Sequence, residues 1–539
     1  MTCDLEFFRP PEYTSPFTMS TKDGLARSTT VVSTATFASR VFGLAREQTF
    51  AFLFGAGFAT DAFVAAFRIP NLLRDLFAEG ALSAAFVPVF TDTLTNKGKP
   101  EAFRLANRLT NVLIVALSVI VLLGVFLTPA LVHVIVPGFG SIPGKTELTV
   151  TMARIMFPFL LLVSLAAVTM GMLNSLRRFA VPAYSPVLFN LGLIAAGYFL
   201  CPFFHPRIIG MAFGVLIGGL GQWAIQLPQL RREGFAYHFD LGFTDPGVRR
   251  ILWLMTPAIL GLASTQIAIF VNTQIASLLP QGSVSYLNFS FRLMSFPLGI
   301  FGVAVATVTL PIVSTYAAKK DIPNVLATAT SSLKLVFFLT IPSIFFLCFA
   351  AKPIISALYQ HGRFTPTDTF HTARALIFYA FGLFAYSSVR VLAPIFYALG
   401  NTKIPAAISV LAVTVNIVLN LTLMRPLGYR GLALATSISA ITNMALLLIV
   451  LTRRVGPLQY NELLKTLGKV VAGSIALAAA MIGVQALVPW NAHASVLKRL
   501  VNLGFLVGAA GGSYLLAAYL LRIRELGMLL NFFKRKRPA

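Results

Sequence analysis

Arg40, Arg46 and Glu47 sit in one hydrophobic stretch, Asp61, Arg68, Arg74, Asp75 and Glu79 in the next, and Arg292 in a much later one. An arginine at the bilayer centre costs about 2.5–3.5 kcal/mol on insertion scales, so such side chains face water, one another or a ligand. At about 100° per helical residue, with Arg68 as the origin, Asp61 and Glu79 fall near +20°, Asp75 near −20° and Asn71 near −60°. They form one polar stripe with Arg74 at its margin, blurred where Pro70 and Gly80 bend the helix. Guanidinium groups bind phosphate oxygens in pairs and never lose their charge. These stretches supply four arginines to candidate lumen positions, Arg40, Arg46, Arg74 and Arg292, more than nearby acids need to neutralise, which points to a phosphate or diphosphate in a water-filled cavity. The competing reading is structural: Asp61 with Arg68, or Glu79 with a neighbouring arginine, locking two helices together.

Other polar residues carry less. Asn416 and Asn420 are four apart and share a helix face, and Thr436 lies on the following helix; hydrogen bonding between helices and a small cation site are both open to them. Lys334 and Arg374 lie near span ends, where long side chains reach the interface. The six histidines form no metal-binding motif, and neither a phosphate-binding loop nor a paired aspartate motif is present. Cys3, Cys201 and Cys348 are far apart. No enzyme, metal centre or cofactor is implied.

These residues need elements that cross a membrane. Of 539 residues, 57% are hydrophobic and only 11% charged, with mean hydropathy +0.80. That composition excludes a water-soluble globular protein, a disordered chain and a disulfide scaffold. Fourteen helical spans are predicted, at 28–54, 59–88, 103–136, 147–176, 183–201, 207–230, 248–279, 283–312, 322–351, 367–399, 404–424, 429–452, 462–489 and 494–521. The net charge of +25 gathers in alternate short loops and the tail, including Arg177–Arg178, Arg231–Arg232, Arg453–Arg454 and Lys534–Arg537. That is the distribution of cytoplasmic loops rather than of a nucleic-acid surface, so both termini are expected in the cytoplasm. Residues 1–26 lack the order of a signal peptide, and Met19 opens a second plausible beginning.

The chain also repeats itself. FRIPNLLRDLFAEGALSAAFVP (67–88) is similar to FRLMSFPLGIFGVAVATVTLP (291–311), placing Arg68 and Arg292 224 positions apart. LNSLRRFAVPA (173–183) is similar to ALGNTKIPA (398–406), with Pro182 and Pro405 offset by 223. An offset of six helices preserves orientation, so the repeats are parallel, related by an axis along the membrane normal. The expected architecture is an all-α polytopic membrane protein: N-terminal segment 1–26, a six-helix lobe at 27–231, a second at 232–454, two further helices at 455–522 and a basic tail at 523–539. A central cavity lies between the lobes.

SRVFGLARE (39–47), FGAGFATDAFVAAFRIPNLLRDLFAEGALSAAFVPVF (54–90), FRLMSFPLGIFGVAVATVTLP (291–311) and RVLAPIFYALGNTKIPA (390–406) resemble the MurJ/MviN family, the lipid II flippases of bacterial peptidoglycan synthesis. The resemblance runs from about residue 26 to the end and implies the multidrug/oligosaccharidyl-lipid/polysaccharide exporter fold. It implies that Arg40, Arg46, Arg74 and Arg292 hold the diphosphate of the undecaprenyl-linked disaccharide-pentapeptide. It also places Asp61, Glu79, Asn71 and Ser285 along the cavity, and the polyprenyl tail in a groove on helices 13 and 14. Relatives with a sodium site are expected to use carboxylates where this chain has Asn272 and Asn420, leaving Asn416 and Thr436 as matches; Phe291 and Ser295 stand where some relatives carry acids.

The resemblance thus implies a lipid II flippase of the bacterial inner membrane working by alternating access. Its partners would be lipid II and membrane lipids, as a monomer that associates with cell-wall synthesis proteins. Another oligosaccharide-lipid flippase or a multidrug exporter shares the fold. A membrane glycosyltransferase acting on the same lipid is the reading from a different class; it needs a catalytic acid outside the cytoplasm, for which Glu147 and Asp368 are the obvious residues.

Overall fold

The computed structural model describes residues 20–75, 81–491 and 494–527. Glu79, most of the N-terminal segment and the Lys534–Arg537 cluster lie outside them. Among the described residues there are helices and connections and no strand. The first helices are α1 (Ser20–Phe54), α2 (Phe58–Arg74), α3 (Ser83–Asn96), α4 (Lys99–Ile135), α5 (Lys145–Met156), α6 (Phe159–Ser175), α7 (Ala180–Ala195), α8 (Ile209–Ala224) and α9 (Leu227–Arg232). Then come α10 (Pro246–Ser277), α11 (Ser283–Pro297), α12 (Val303–Ala318), α13 (Ile322–Tyr359), α14 (Pro366–Ala380), α15 (Leu383–Ala398), α16 (Lys403–Leu427) and α17 (Tyr429–Arg454). The last two are α18 (Tyr460–Leu487) and α19 (Val496–Leu520).

Among the described residues, ten helices are long and apolar enough to cross a membrane, counting α5–α6, α7 with its extension to Phe203, α8–α9 and α11–α12 as continuous. The pair α14–α15, bent by 42°, makes an eleventh if taken as one span. The fourteen expected spans exceed this by three, and the segments concerned are α1, α2 with α3, and α10. Of these, α2 and α3 are described as helices of 17 and 14 residues.

Helices α1–α9 pack chiefly among themselves, with α1 on α7, α7 on α8, α2 on α5, and α3 and α4 on α6. Helices α10–α17 form a second bundle in which α16 packs on α17 and α10, α13 on α14 and α15, and α11 on α14. The sequence repeat has a backbone counterpart. A π-helical turn at Leu298–Gly302 separates α11 from α12, and Asp75, 224 positions before Gly299, is also π-helical. An i→i+5 turn re-aims side chains in mid-helix and is common at functional sites.

The α18–α19 hairpin is fastened to α13 at three levels. About a third of the way along α13, one turn before Phe338, Lys334 pairs with Glu462 at 3.0 Å and with buried Glu525 at 3.4 Å. Midway, the Tyr514 hydroxyl donates to the Phe338 carbonyl at 2.8 Å. At the far end Arg499 donates to the carbonyls of Ser356 and Gln360 at 2.8 and 2.9 Å, satisfying acceptors that the end of a helix leaves open. Outside the spans, Arg178 donates to Glu233 at 2.7 Å; with Lys99 it holds that carboxyl below its usual range.

Candidate functional site

Helices α1 and α11 bring their charges together. Arg46 Nη2 lies 2.6 Å from Glu47 Oε1, and Arg292 Nε lies 3.0 Å from the same oxygen. Glu47 is 6% exposed and sits between an arginine from each bundle. With one oxygen fixing both guanidinium groups, their orientation is set before any ligand arrives. These residues line a cavity of about 80 Å³ together with Arg68, Asn71 and Asn288, against a wall of phenylalanines that includes Phe50, Phe63 and Phe67. Three arginines face one glutamate, so the site carries net positive charge in a low-dielectric setting and is suited to a multiply charged anion.

The other expected site residues are distributed differently. Arg74 is turned onto Asp75, with Nη2 2.8 Å from Oδ1; Asp75 Oδ2 also accepts from Asn71 at 3.3 Å and from Gln266 of α10 at 3.1 Å. Asn71 therefore reaches the cavity, while Arg74 belongs to a polar bridge between α2 and α10. Arg40 lies over the π-helical turn of the second bundle: a Cβ at Gly299 would sit 2.6 Å from its Nη1 and Nη2. Any side chain at 299 displaces that guanidinium.

Asp61 and Ser285 do not line the cavity in this conformation. Asp61 is 1% exposed and Ser285 fully buried. The carboxylate accepts from Ser285 Oγ at 2.6 Å, Ser285 N at 2.9 Å and Gly282 N at 2.7 Å, and it pairs with Lys145 at 2.9 Å. Such a carboxylate has no free lone pair for a ligand. It fastens the first bundle to the start of α11, where open N–H groups favour an anion. The same end of the molecule holds further cross-bundle bonds: Arg363 N to Phe52 O at 2.9 Å, Gln274 Nε2 to Val134 O at 2.9 Å and Gly138 N to Ser277 Oγ at 3.3 Å. Gly362, at φ 61°, comes so close that a Cβ there would sit 2.2 Å from Phe52 O. The result is a backbone-level seam. At the opposite end Arg108 of α4 pairs with Asp245, the N-cap of α10, at 2.7 Å, and the exposed pair Arg250–Asp92 is long at 3.6 Å.

Sequence reasoning placed Asp61 with Arg68 in its structural alternative; the structure pairs it with Lys145, 84 residues away. Nothing local marks Lys145, which follows Gly144 in what reads as a loop. It is 1% exposed and its ammonium also lies 4.1 Å from the centre of the Phe139 ring. Glu47 is legible in the sequence as an intramembrane charge, but its link to Arg292 is not.

A second cavity, of about 400 Å³, lies within the α10–α17 bundle and shares Arg68 and Asn288 with the first. Asn272, Asn416 and Thr436 are on its wall. Asn420 donates to Asn272 and to Asn416, the latter at 3.0 Å, and Asn416 lies 3.5 Å from Thr436 Oγ1. The asparagines of α10 and α16 thus bond one another, with Thr436 of α17 beside them, and Asn420 Oδ1 is left buried without a partner. Among the described residues no group of three or more His, Cys, Asp or Glu could hold a metal ion. A third hollow, of about 620 Å³ and almost wholly apolar, lies between α18 and α19 along Val484, Leu487, Val501 and Phe505.

A model of the lipid II flippase MurJ family matches residues 50–501. The chain belongs to this family. It is 36% identical over 521 residues to the probable lipid II flippase MurJ of Vibrio cholerae, covering 94% of this chain and 98% of that one. It is 37% identical over 434 residues to the lipid II flippase MurJ of Burkholderia cenocepacia, covering 80% and 84%. A solved structure of lipid II flippase MurJ in an inward closed conformation superposes with TM-score 0.75 at 27% identity, covering 91% of this chain and 98% of that one. An inward-facing multidrug resistance MATE family transporter of the MOP superfamily shares the fold, with TM-score 0.64 at 16% identity and coverage of 81% and 99%. This MurJ-family chain is a multi-span membrane protein. Its Asp368, an acid that a glycosyltransferase reading would need, is committed to structure: Oδ2 accepts from Thr365 N at 2.9 Å in a capping box on α14, and Oδ1 accepts from Tyr286 at 3.1 Å.

Proposed function

We propose that the protein moves lipid II from the inner to the outer leaflet of the bacterial inner membrane. The observation that carries this reading is the Arg46–Glu47–Arg292 cluster, in which one carboxylate holds a guanidinium from each bundle at the wall of a shared cavity. A diphosphate entering there gains charge-assisted hydrogen bonds from both bundles, and Glu47 keeps the two groups aimed while the site is empty. The undecaprenyl chain runs in the apolar hollow between α18 and α19, outside the cavity, so only the polar headgroup crosses through protein.

Alternating access follows from the uneven ends of the bundle. With both termini in the cytoplasm, the seam at Asp61, Phe52 and Gly138 is periplasmic, and the cytoplasmic ends are joined by the Arg108–Asp245 and Arg250–Asp92 ion pairs, both more exposed than Asp61 with Lys145. Exposed ion pairs are worth about 0–1 kcal/mol, whereas buried hydrogen-bonded carboxylates are costly to break. The protein therefore rests facing the cytoplasm, takes the headgroup there, and opens the seam when α1–α9 and α10–α17 rock about it. Depletion of the protein is expected to trap lipid II in the inner leaflet, read by leaflet-specific labelling; equal translocation with and without it would overturn the flippase reading.

Sodium is not expected to be required. Asn272, Asn416, Asn420 and Thr436 offer only neutral oxygens, of which those of Asn272, Asn416 and Thr436 already accept within the group, and a cation among them has no carboxylate to balance its charge. A positively charged cavity that shifts in the membrane field feels about 2.3 kcal/mol per unit charge per 100 mV. Transport in sodium-free medium at fixed potential should match that with sodium, and fall when the potential is collapsed.

A further inference from the structure

Arg68 adds its charge to the first cavity but, unlike Arg46 and Arg292, is not held by Glu47, and it is placed where two cavities meet. It projects from α2 of the first bundle and lines both the charged cavity and the larger one inside α10–α17. Its Nε is buried with no hydrogen-bond partner, and no carboxylate among the described residues lies within ion-pair distance of it. A buried donor left unpaired costs about 1–3 kcal/mol, more when charged, so its presence at a cavity wall asks for an anion from outside the chain.

The larger cavity says which kind. Its described wall carries amides, hydroxyls and apolar groups, including Asn272, Asn416, Asn443, Ser409 and Ser439, and Arg68 is its only charged side chain. With Asn at 272 and 420 there is no acid to repel an anionic ligand. Asn443 Oδ1 is buried there without a partner, an acceptor open to an N–H donor. One cation beside neutral amides suits a peptide-like group that has N–H and C=O along its length and a carboxylate on it. A second phosphate would instead call for clustered guanidinium groups, which the neighbouring site supplies through Arg46 and Arg292.

We propose that Arg68 holds a carboxylate of the peptide portion of the lipid headgroup, with that portion lying in the α10–α17 cavity. This rests on the flippase reading. The diphosphate and the carboxylate would then be gripped about a common wall, and the peptide becomes a recognised part of the cargo.

The test is a binding cycle with the full-length protein in nanodiscs, using undecaprenyl diphosphate, lipid II, and lipid II with every peptide carboxyl amidated. Amidation should weaken lipid II binding to wild type about tenfold, the scale of one charge-assisted hydrogen-bonded contact, and should make no difference to Arg68→Gln. Arg68→Lys, which keeps the charge but not the fork, should retain part of the discrimination. Equal binding of both lipid II forms by wild type would overturn the proposal. So would discrimination that survives intact in Arg68→Gln, which would put the carboxylate elsewhere. Wild type that binds neither undecaprenyl diphosphate nor lipid II would overturn the flippase reading itself, a result distinct from normal binding without discrimination.

Discussion

Arg292→Ala should abolish transport while the protein still inserts and accumulates. Arg292 is the arginine that the second bundle brings to the cavity, its side chain is 42% exposed, and its contact to Glu47 is 3.0 Å. Half-exposed, it contributes little to folding, so its loss falls on the ligand. Two charge-assisted hydrogen bonds at about 1.5–3 kcal/mol each correspond to a loss of at least roughly a hundredfold in diphosphate affinity. Arg46 remains, but it belongs to α1, and a headgroup held by one bundle alone cannot couple the two. Arg292→Lys should recover only part of the activity, because an ammonium offers a point charge where a planar fork is needed. The measurement is growth of a strain depleted of its own lipid II flippase, alongside the amount of variant in the membrane. Full growth on Arg292→Ala would show that the two bundles do not share a diphosphate site.

Lys145→Met should destabilise the protein more than any single change at the cavity. Lys145 and Asp61 are each 1% exposed and 2.9 Å apart. Removing one partner of a buried pair strands the other charge and costs about 3–5 kcal/mol. The bonds from Ser285 and Gly282 to Asp61 remain, which keeps the loss from being larger. Asp61→Asn combined with Lys145→Met removes both charges and should restore much of the stability, since it leaves no uncompensated ion. Melting curves of the three variants in detergent give the comparison. A Lys145→Met protein that melts as wild type does would mean that Lys145 contributes nothing to the seam.

The sequence determined that this is a membrane protein of many helices, because apolar runs of span length admit little else. It also determined that the charges in α1, α2 and α11 face something other than lipid, because lipid makes them too costly. Helical periodicity put Asp61, Arg68, Asn71 and Asp75 on one stripe. Which of them meet ligand was decided only by tertiary structure. Asp61 is taken up by Lys145 from α5 and by the backbone at the start of α11, and periodicity within α2 says nothing about either. Arg46 and Arg292 share Glu47 because α1 and α11 approach across the two bundles, a contact between residues 245 positions apart. Asn420 and Asn272 likewise meet only because α16 packs on α10. Burial cost depends on each residue's own chemistry and can be read along the chain; the partner that offsets it depends on which helices touch, and that is set by the packing of the whole bundle.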